Sequence, residues 1–243
     1  MRKWIGLLFL TLALGVLPFS PCVAAQTTDW PSIIRAVRPA VVWIIVETRG
    51  GARAGTGAII SADGYILTAN HVIEGASGIT VTLEDSRRYT ASVVVADGLS
   101  DAAVLKISAD ELTWVPLGDS DEVEIEEEIR VFGYPLPGAG VGLIVVRGVI
   151  QGIRVRDGVR FLQHNATTAG GHSGGPVVNS RGQLIGIHSS VLADQPEYRL
   201  ATAVNETRRM IAAAQSGVPV KPIPRPCPTC PPGMVLIPAG VFW

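Results

Sequence analysis

The stretch Gly170-Gly171-His172-Ser173-Gly174-Gly175-Pro176, followed by Val177-Val178-Asn179, places one serine among four glycines just ahead of a short apolar run. Glycine occurs where the backbone takes strained angles or approaches another group closely. A serine held in such a turn presents its hydroxyl unobstructed, with neighbouring backbone N–H groups aimed at the same point. Because an acyl-transfer nucleophile with an oxyanion hole needs this arrangement, Ser173 is a candidate catalytic residue.

Composition narrows the class of protein. The 243 residues carry 20 Lys and Arg against 21 Asp and Glu, and this near-neutral balance gives no electrostatic footprint for nucleic acid or an anionic membrane. Only 6% of the residues are aromatic and 27 are glycine, which together with the abundant Val and Ile favours a β-rich protein. No metal-binding pattern and no cofactor motif is visible, so we expect neither.

The N-terminus has the three parts of a secretory signal peptide. A basic Met1-Arg2-Lys3 precedes an apolar run, Trp4–Phe19, and the small residues Val23-Ala24-Ala25 form a cleavage site. We predict that residues 1–25 are removed and that the protein is periplasmic or secreted, with no membrane attachment after cleavage. A retained anchor is disfavoured because the run is short and broken by proline, and lipidation of Cys22 because a proline directly precedes it.

Short apolar segments separated by turns fill most of the rest. The first six are Val41–Val46, Gly55–Ile60, Tyr65–Ile73, Ile79–Leu83, Tyr89–Val95 and Ala102–Ile107. The next six are Ile129–Phe132, Leu143–Ile153, Val159–Gln163, Gly175–Asn179, Gln183–Ser189 and Arg199–Val204. This pattern predicts an all-β fold of two six-stranded antiparallel β-barrels, at about 40–115 and about 120–204.

Two short helices are expected to flank the barrels. Trp30–Arg38 has a proline in its first turn, which suits a helix start. Glu206–Gln215 is predicted to be capped by Asn205 and stopped by Gly217, forming a closing helix over 205–216. The acidic run from Glu124 to Glu128 is expected to be a solvated edge without a function.

A serine nucleophile needs a histidine base, and that base needs an orienting carboxylate. His71 stands at the end of a predicted strand, where its ring can face a cleft between the barrels. Asp101 stands at the junction of a loop and the strand that follows. Asp97, four residues earlier, is the competing carboxylate, although its place before Gly98 predicts a turn residue.

The other three histidines are weaker candidates for the base. His188 lies inside an apolar strand and is predicted to be a buried barrel residue, and His164 can lie on the same wall. His172 adjoins Ser173, and because adjacent side chains point apart, its ring is directed away from the serine hydroxyl.

The order His71, Asp101, Ser173 is a known chain order for the serine triad on paired β-barrels. With it, residues 29–216 resemble trypsin-like serine proteases of the HtrA (Deg) type. The resemblance rests on three parts of the sequence, namely Gly55–Ile60 with Leu67–Ile73, Ser100–Ile107, and Gly171–Pro176 with Gly182–Ile187.

The resemblance implies a chymotrypsin-like fold and a serine endopeptidase that cleaves proteins or peptides through an acyl-enzyme. It assigns His71 as general base, Asp101 as orienting acid and Ser173 as nucleophile, with an oxyanion hole from the N–H groups of Gly171 and Ser173. The family's substrate pocket corresponds to Thr168 and Val191, which are uncharged, so small or medium aliphatic residues are the expected specificity. The main alternative is a catalytically silent domain of the same fold that binds peptides or misfolded proteins.

Two residues depart from the family pattern. The family usually has Asn at the position of His172 and a bulkier residue at that of Gly170. Ordering a flexible residue costs about 1 kcal/mol in conformational entropy. We therefore predict that the oxyanion loop is partly disordered until substrate binds.

The C-terminal part has a different composition. Residues 217–233 are proline-rich and predict a stiff linker. Cys227 and Cys230 within it are compatible with half a zinc site, a redox pair or a local disulfide, of which the disulfide is favoured. Residues 234–243 resemble the opening strand of a formylglycine-generating (sulfatase-modifying) domain, which predicts a truncated second domain in place of the PDZ domains typical of HtrA proteins. A third interpretation makes the barrels a substrate-docking appendage of that downstream module.

Overall fold

The structure is a computed structural model that describes residues 28–135, 142–189 and 199–217, together with the short strands 225–226 and 235–236. The predicted signal peptide, the pocket residue Val191 and the cysteines Cys227 and Cys230 lie outside the described residues.

The first barrel is built from the first half of the chain. Its strands are β1 (Val41–Thr48), β2 (Gly51–Ile59), β3 (Tyr65–Thr68), β4 (Gly78–Thr82), β5 (Arg88–Asp97) and β6 (Ala102–Ile107). They are hydrogen-bonded in the order β1-β2-β3-β6-β5-β4, and antiparallel pairing of β1 with β4 closes the barrel. Ile44, Ile66 and Leu105 are fully buried in its interior.

The second barrel repeats this plan. Its strands are β7 (Glu128–Gly133), β8 (Ile144–Arg156), β9 (Val159–His164), β10 (Pro176–Val178), β11 (Leu184–Ser189) and β12 (Arg199–Ala203). The order is β10-β11-β12-β9-β8-β7, closed by antiparallel pairing of β10 with β7. The prediction of two six-stranded antiparallel barrels is therefore confirmed.

Helices flank the barrels as expected. Helix α1 (Trp30–Val37) runs into a 3₁₀ turn at Arg38–Ala40, α2 (Asn70–Ile73) is a single turn between the barrel strands, and α3 (Val204–Ser216) follows β12. Gly217, with φ +67°, ends α3 in the left-handed conformation predicted for its stop. No helix in these described ranges is long and apolar enough to cross a membrane.

The prediction that Asn205 caps the closing helix is wrong. Helix α3 begins at Val204, two residues before the predicted start, with Ala203 at the N-cap and no capping side chain. The backbone N–H of Asn205 donates to Ser120 Oγ (3.1 Å), and its side-chain amide donates to Asp119 (2.6 Å). The connection between the barrels thus supplies the acceptor that a capping side chain would have provided.

One residue of the acidic run has a structural role. Glu128 accepts a hydrogen bond of 2.6 Å from the indole N–H of Trp30 in α1. It also forms an ion pair with Arg147 at 2.7 Å. The Arg130 guanidinium stacks 3.8 Å above the Trp30 ring. The hydrogen bond from Trp30, followed by the nearby arginines, lowers the pKa of Glu128. These contacts attach α1 to the second barrel, so the expectation that the whole run is a solvated edge is wrong at Glu128.

Beyond α3, the strands β13 (Arg225–Pro226) and β14 (Val235–Leu236) form an antiparallel pair. The segment predicted to be a stiff linker therefore includes one short paired strand.

Candidate active site

His71 lies on the single helical turn α2, just after β3. The prediction extended the strand to Ile73, but β3 ends at Thr68. From there the backbone bonds locally, with the N–H of Val72 donating to the Ala69 carbonyl (3.2 Å) and that of Glu74 to the Asn70 carbonyl (3.1 Å). Because the chain turns at this point, the ring of His71 is partly exposed instead of packing in the barrel wall.

Asp101 binds His71 with both carboxylate oxygens. Oδ1 accepts the backbone N–H of His71 at 2.9 Å, and Oδ2 lies 2.7 Å from Nδ1 of its ring. Asp101 has φ +49°, a left-handed conformation that aspartate adopts more readily than most residues, and its side chain is nearly buried. A carboxylate here favours the tautomer with hydrogen on Nδ1, which leaves Nε2 with a free lone pair to act as a base.

The competing carboxylate, Asp97, organises the loop that precedes Asp101. It accepts hydrogen bonds from the backbone N–H of Leu99 (3.1 Å) and from the hydroxyl of Ser100 (2.6 Å). This is the turn-residue role predicted for an aspartate at this position.

Ser173 lies against the turn that carries His71. Its carbonyl accepts the backbone N–H of Thr56 in β2 at 2.8 Å. Gly55 lies between the two segments, and a Cβ there would stand 2.6 Å from Val72 Cγ1 and 3.1 Å from the Ser173 carbonyl oxygen. Only glycine at position 55 therefore lets the serine loop come this close to α2.

The proposed oxyanion residue Gly171 is part of a hydrogen-bonded turn. The N–H of His172 donates to the Ala169 carbonyl (3.1 Å), and Gly171 has φ +97°, which fits the third position of a type II turn. Thr56 Oγ1 donates to the Gly171 carbonyl at 2.7 Å, which fixes the plane of the peptide that follows. The prediction that this loop is partly disordered until substrate binds stays a prediction, and these bonds describe its ordered form.

Two residues that hold the site were missed by sequence reasoning. Ser189, in β11, donates its hydroxyl to Asp101 Oδ2 across 88 positions of sequence, and no local pattern points to that contact. Thr56 is fully buried and receives the backbone N–H of Tyr134 (2.9 Å) while it binds Gly171. The sequence signal for Thr56 was its position between two glycines, which indicates a closely packed strand. A polar side chain buried in such a strand needs hydrogen-bond partners.

Of the two residues predicted to line the substrate pocket, the structure describes one. Thr168 is half-buried, and its backbone N–H donates to the Ala166 carbonyl at 2.9 Å. Within the described ranges, no group of three or more His, Cys, Asp or Glu residues is placed to hold a metal ion.

The remaining histidines are buried, as the pattern predicted for His188. Nδ1 of His188 lies 3.2 Å from Nε2 of His164, between strands β11 and β9. Burial, followed by the positive charge of Arg199, lowers the pKa of His164 to about 4. Burial is also the first cause that lowers the pKa of His188.

This burial predicts acid destabilisation. Between pH 6.5 and 4 the unfolded chain binds a proton at His164 that the folded chain does not, so the free energy of unfolding falls as the pH falls. For a pKa of about 4 in the folded state against about 6.5 in the unfolded state, the loss at pH 4 is about 3 kcal/mol. Urea denaturation at several pH values measures this slope.

A His164→Gln variant is the matched control, because its amide keeps hydrogen-bonding capacity and does not titrate in this range. Its stability should fall less steeply between pH 6.5 and 4, with the two curves converging on the acid side. Parallel curves over this interval would contradict the assignment.

The two closed six-stranded barrels define a chymotrypsin-like fold, and a histidine and an aspartate joined beside a glycine-flanked serine form its candidate active site. Residues 55–187 match the family described as "Trypsin-like peptidase domain", and the chain belongs to this family.

Curated relatives and solved structures place the chain with the HtrA-type proteins of that family. A "Probable periplasmic serine endoprotease DegP-like" of Halomonas elongata is 33% identical over 238 residues, covering 79% of this chain and 50% of the relative. A protein of the same name from Chlamydia trachomatis is 38% identical over 147 residues, covering 59% of this chain and 29% of the relative. The chain thus spans half or less of the length of these two relatives.

Two solved structures share the fold at similar identity. The serine endoprotease from Yersinia pestis has a TM-score of 0.68 at 31% identity, covering 80% of this chain and 70% of that one. The "HtrA-type protease AlgW with tripeptide" has a TM-score of 0.67 at 30% identity, covering 77% and 64%.

Proposed function

We propose that the protein is an exported serine endopeptidase that hydrolyses peptide bonds through an acyl-enzyme. The observation that carries this proposal is the binding of His71 by both oxygens of Asp101, beside the glycine-flanked loop of Ser173. A histidine oriented in this way is the base that a serine hydroxyl requires at neutral pH. The names of the relatives, all serine endoproteases or serine proteases, support the same reaction.

The reaction has two halves. In the first, Ser173 Oγ attacks the substrate carbonyl carbon while its proton passes to His71 Nε2, and the positive charge on the ring is stabilised by Asp101. The tetrahedral intermediate collapses as the same proton is transferred to the departing amine, leaving the acyl-enzyme. In the second half, water attacks the ester while it gives a proton to His71, and that proton passes to Ser173 Oγ as the acid is released.

The N–H groups of Gly171 and Ser173 are proposed to bind the oxyanion of each tetrahedral intermediate. Support comes from the turn itself, since Thr56 holds the carbonyls of both residues, through its hydroxyl at Gly171 and its backbone N–H at Ser173. A preorganised pair of donors stabilises the developing charge without reorganisation during the reaction.

The substrate is proposed to be a protein or peptide, cleaved after a small or medium aliphatic residue. The argument is the uncharged character of Thr168 and Val191 at the positions that match the family's pocket. The solved AlgW structure carries a tripeptide, which is in line with peptide recognition by this fold. A cleavage profile on a peptide library tests the preference, and a majority of cuts after Lys or Arg would contradict it.

The location is proposed to be the periplasm or the extracellular space. The three-part N-terminal pattern of residues 1–25 and the word periplasmic in the names of the relatives support it.

Labelling with a fluorophosphonate probe tests the nucleophile directly. We expect covalent modification at Ser173, because the probe reacts only with a serine hydroxyl activated by a base. Intact-mass and peptide mass spectrometry measure the extent and the position of the label, and casein digestion measures endopeptidase activity.

Two variants make the experiment decisive. Ser173→Ala should abolish both labelling and casein digestion. Ser180→Ala is the matched control, since Ser180 is an exposed serine in the turn after β10, and this variant should be labelled like the parent protein. A folded parent protein that takes up no label would favour the silent peptide-binding alternative.

A further inference from the structure

Three histidines that the proposed triad does not use are buried close to the serine loop. His164, His172 and His188 are 0%, 2% and 4% exposed. Buried ring nitrogens normally find hydrogen-bond partners. Among the described residues, however, His164 Nδ1 and His172 Nε2 have none. A buried ring that leaves a polar atom unpaired needs a compensating contact, and His172 has one at the serine loop.

The ring of His172 bridges the ends of the oxyanion turn. Its Nδ1 lies 3.1 Å from the Ala169 carbonyl oxygen and 3.3 Å from the Ala169 backbone nitrogen. The backbone N–H of His172 donates to the same carbonyl at 3.1 Å. Ala169 and His172 are the first and fourth residues of the turn, so the ring adds a side-chain contact to its single backbone bond.

Close packing fixes the ring in this place. A Cβ at Gly133, the last residue of β7, would lie 2.6 Å from His172 Cδ2 and 2.8 Å from His172 Cα. Strand β7 of the second barrel can therefore pack this closely against the His172 ring only because residue 133 is a glycine. Such an enclosed ring restricts the position of the backbone that bears it.

The turn needs such a constraint because its two middle residues are glycines. Gly170 and Gly171 lose more conformational freedom on ordering than any other residue type would. Gly171 N–H and Ser173 N–H are the proposed oxyanion donors, and they lie on either side of His172. A contact that fixes His172 therefore restricts both donors.

We propose that His172 is a positioning residue, whose neutral ring holds the backbone of Ala169 through Nδ1 and so aims the N–H groups of Gly171 and Ser173 at one point. The catalytic consequence rests on the proposed function, whereas the order imposed on the turn does not. The nitrogen that matters is Nδ1, since it makes the contact with Ala169.

The surroundings of His172 favour the neutral ring. A protonated ring would place a second N–H, on the unpartnered Nε2, in a buried site. Burial lowers the pKa of His172, opposed by its hydrogen bond with Ala169. The charge of His172 acts on His188 of β11, and the other charges that act on His188 come from His164 of β9, Arg199 of β12 and His71 of α2. All the groups that act on His188 are cationic when charged, so none of them would stabilise a positive charge on that ring.

Three substitutions at position 172 separate the contributions of shape and of each nitrogen. His172→Asn places an amide where Nδ1 stands, His172→Gln places it where Nε2 stands, and His172→Phe keeps a ring without hydrogen-bonding atoms. Thr207→Val is the control for a general loss of stability, since Thr207 is a fully buried residue of α3 whose hydroxyl bonds to Val204.

The first readout is the split between kcat and KM on a peptide substrate. Because losing an oxyanion donor lowers kcat about 100-fold, we expect His172→Phe and His172→Gln to approach that loss with KM changed less than about threefold. His172→Asn should stay within about tenfold of the parent kcat, since one hydrogen bond of ordinary strength is kept. Thr207→Val should lower the melting temperature without changing kcat.

The second readout does not depend on activity. Hydrogen–deuterium exchange of the peptide covering residues 169–175 should be about tenfold faster in His172→Phe than in the parent and close to the parent in His172→Asn. Equal exchange in all variants would overturn the inference, as would Gln performing as well as Asn. If the exchange pattern holds but the folded parent protein neither takes up fluorophosphonate nor cleaves casein, the positioning role stands and the proposed function fails.

Discussion

Asp101→Asn is expected to lower kcat about 10,000-fold while the protein stays folded, because the substitution reverses the tautomer of the base. In the structure Asp101 Oδ2 faces His71 Nδ1 at 2.7 Å. A carboxylate there accepts the Nδ1 hydrogen and leaves Nε2 free to receive the proton of Ser173.

The backbone decides how the asparagine amide is oriented. Asp101 Oδ1 accepts the backbone N–H of His71. An asparagine NH₂ group in that position would face this N–H, so two hydrogen-bond donors would point at each other. The amide therefore turns its NH₂ toward His71 Nδ1, where it donates a hydrogen. Nδ1 then becomes the acceptor, the ring hydrogen moves to Nε2, and the base no longer has a lone pair for the serine proton. Ser189 can adapt, because its hydroxyl is able to accept a hydrogen bond as well as donate one.

Steady-state kinetics on a peptide substrate measure the effect, with circular dichroism to verify folding. Asp97→Asn is the matched control, since it is the same change in the same loop, at a carboxylate that binds Leu99 and Ser100. It should retain at least about 100 times the activity of Asp101→Asn, which is half, on a logarithmic scale, of the effect expected of an orienting acid. The assignment of Asp101 would be wrong if Asp97→Asn were the inactive variant of the two.

Gly174→Ala is expected to lower the free energy of unfolding by about 4 kcal/mol, an exceptionally large loss for one methyl group. Gly174 has φ +81°, which a residue with a Cβ adopts with difficulty. The added Cβ would stand 2.2 Å from both the Thr56 carbonyl oxygen and Thr68 Oγ1, and 3.0 Å from the Ala69 nitrogen. These atoms belong to β2, to the end of β3 and to the residue that follows it ahead of His71, so relieving the clash pushes the serine loop away from its proposed base.

Gly217→Ala separates strain from clash. Gly217 has φ +67°, but nothing lies within 4 Å of the position its Cβ would take. This variant should lose only about 1–2 kcal/mol, the cost of the left-handed conformation alone. Urea denaturation of the two variants measures the difference, and fluorophosphonate labelling should be lost in Gly174→Ala and kept in Gly217→Ala. If the two variants lost similar amounts of unfolding free energy, the prediction would be wrong, because the serine loop would then have shifted to accommodate the methyl group.

The sequence by itself determined the architecture. Alternating apolar segments and glycine-marked turns predicted both barrels, because the periodicity of a strand and the chemistry of a turn are local properties. The same local reasoning failed where a partner came from a distant element. Asn205 was predicted to cap α3, yet Ser120 supplies the acceptor. His71 was placed at the end of a strand, yet that strand ends at Thr68 and His71 lies in the helical turn α2.

At the candidate site the sequence supplied the residue types, and the tertiary structure decided their relations. Sequence reasoning favoured Asp101 over Asp97 as the orienting acid, and the fold brings Asp101 to His71 while Asp97 bonds within its own loop. The hydroxyl of Ser189 reaches Asp101 from 88 residues away, and the ring of His172 turns back to Ala169 under the serine loop. Contacts of this kind follow from the way in which two closed barrels and their loops pack together, and the periodicity of a single segment carries no information about them.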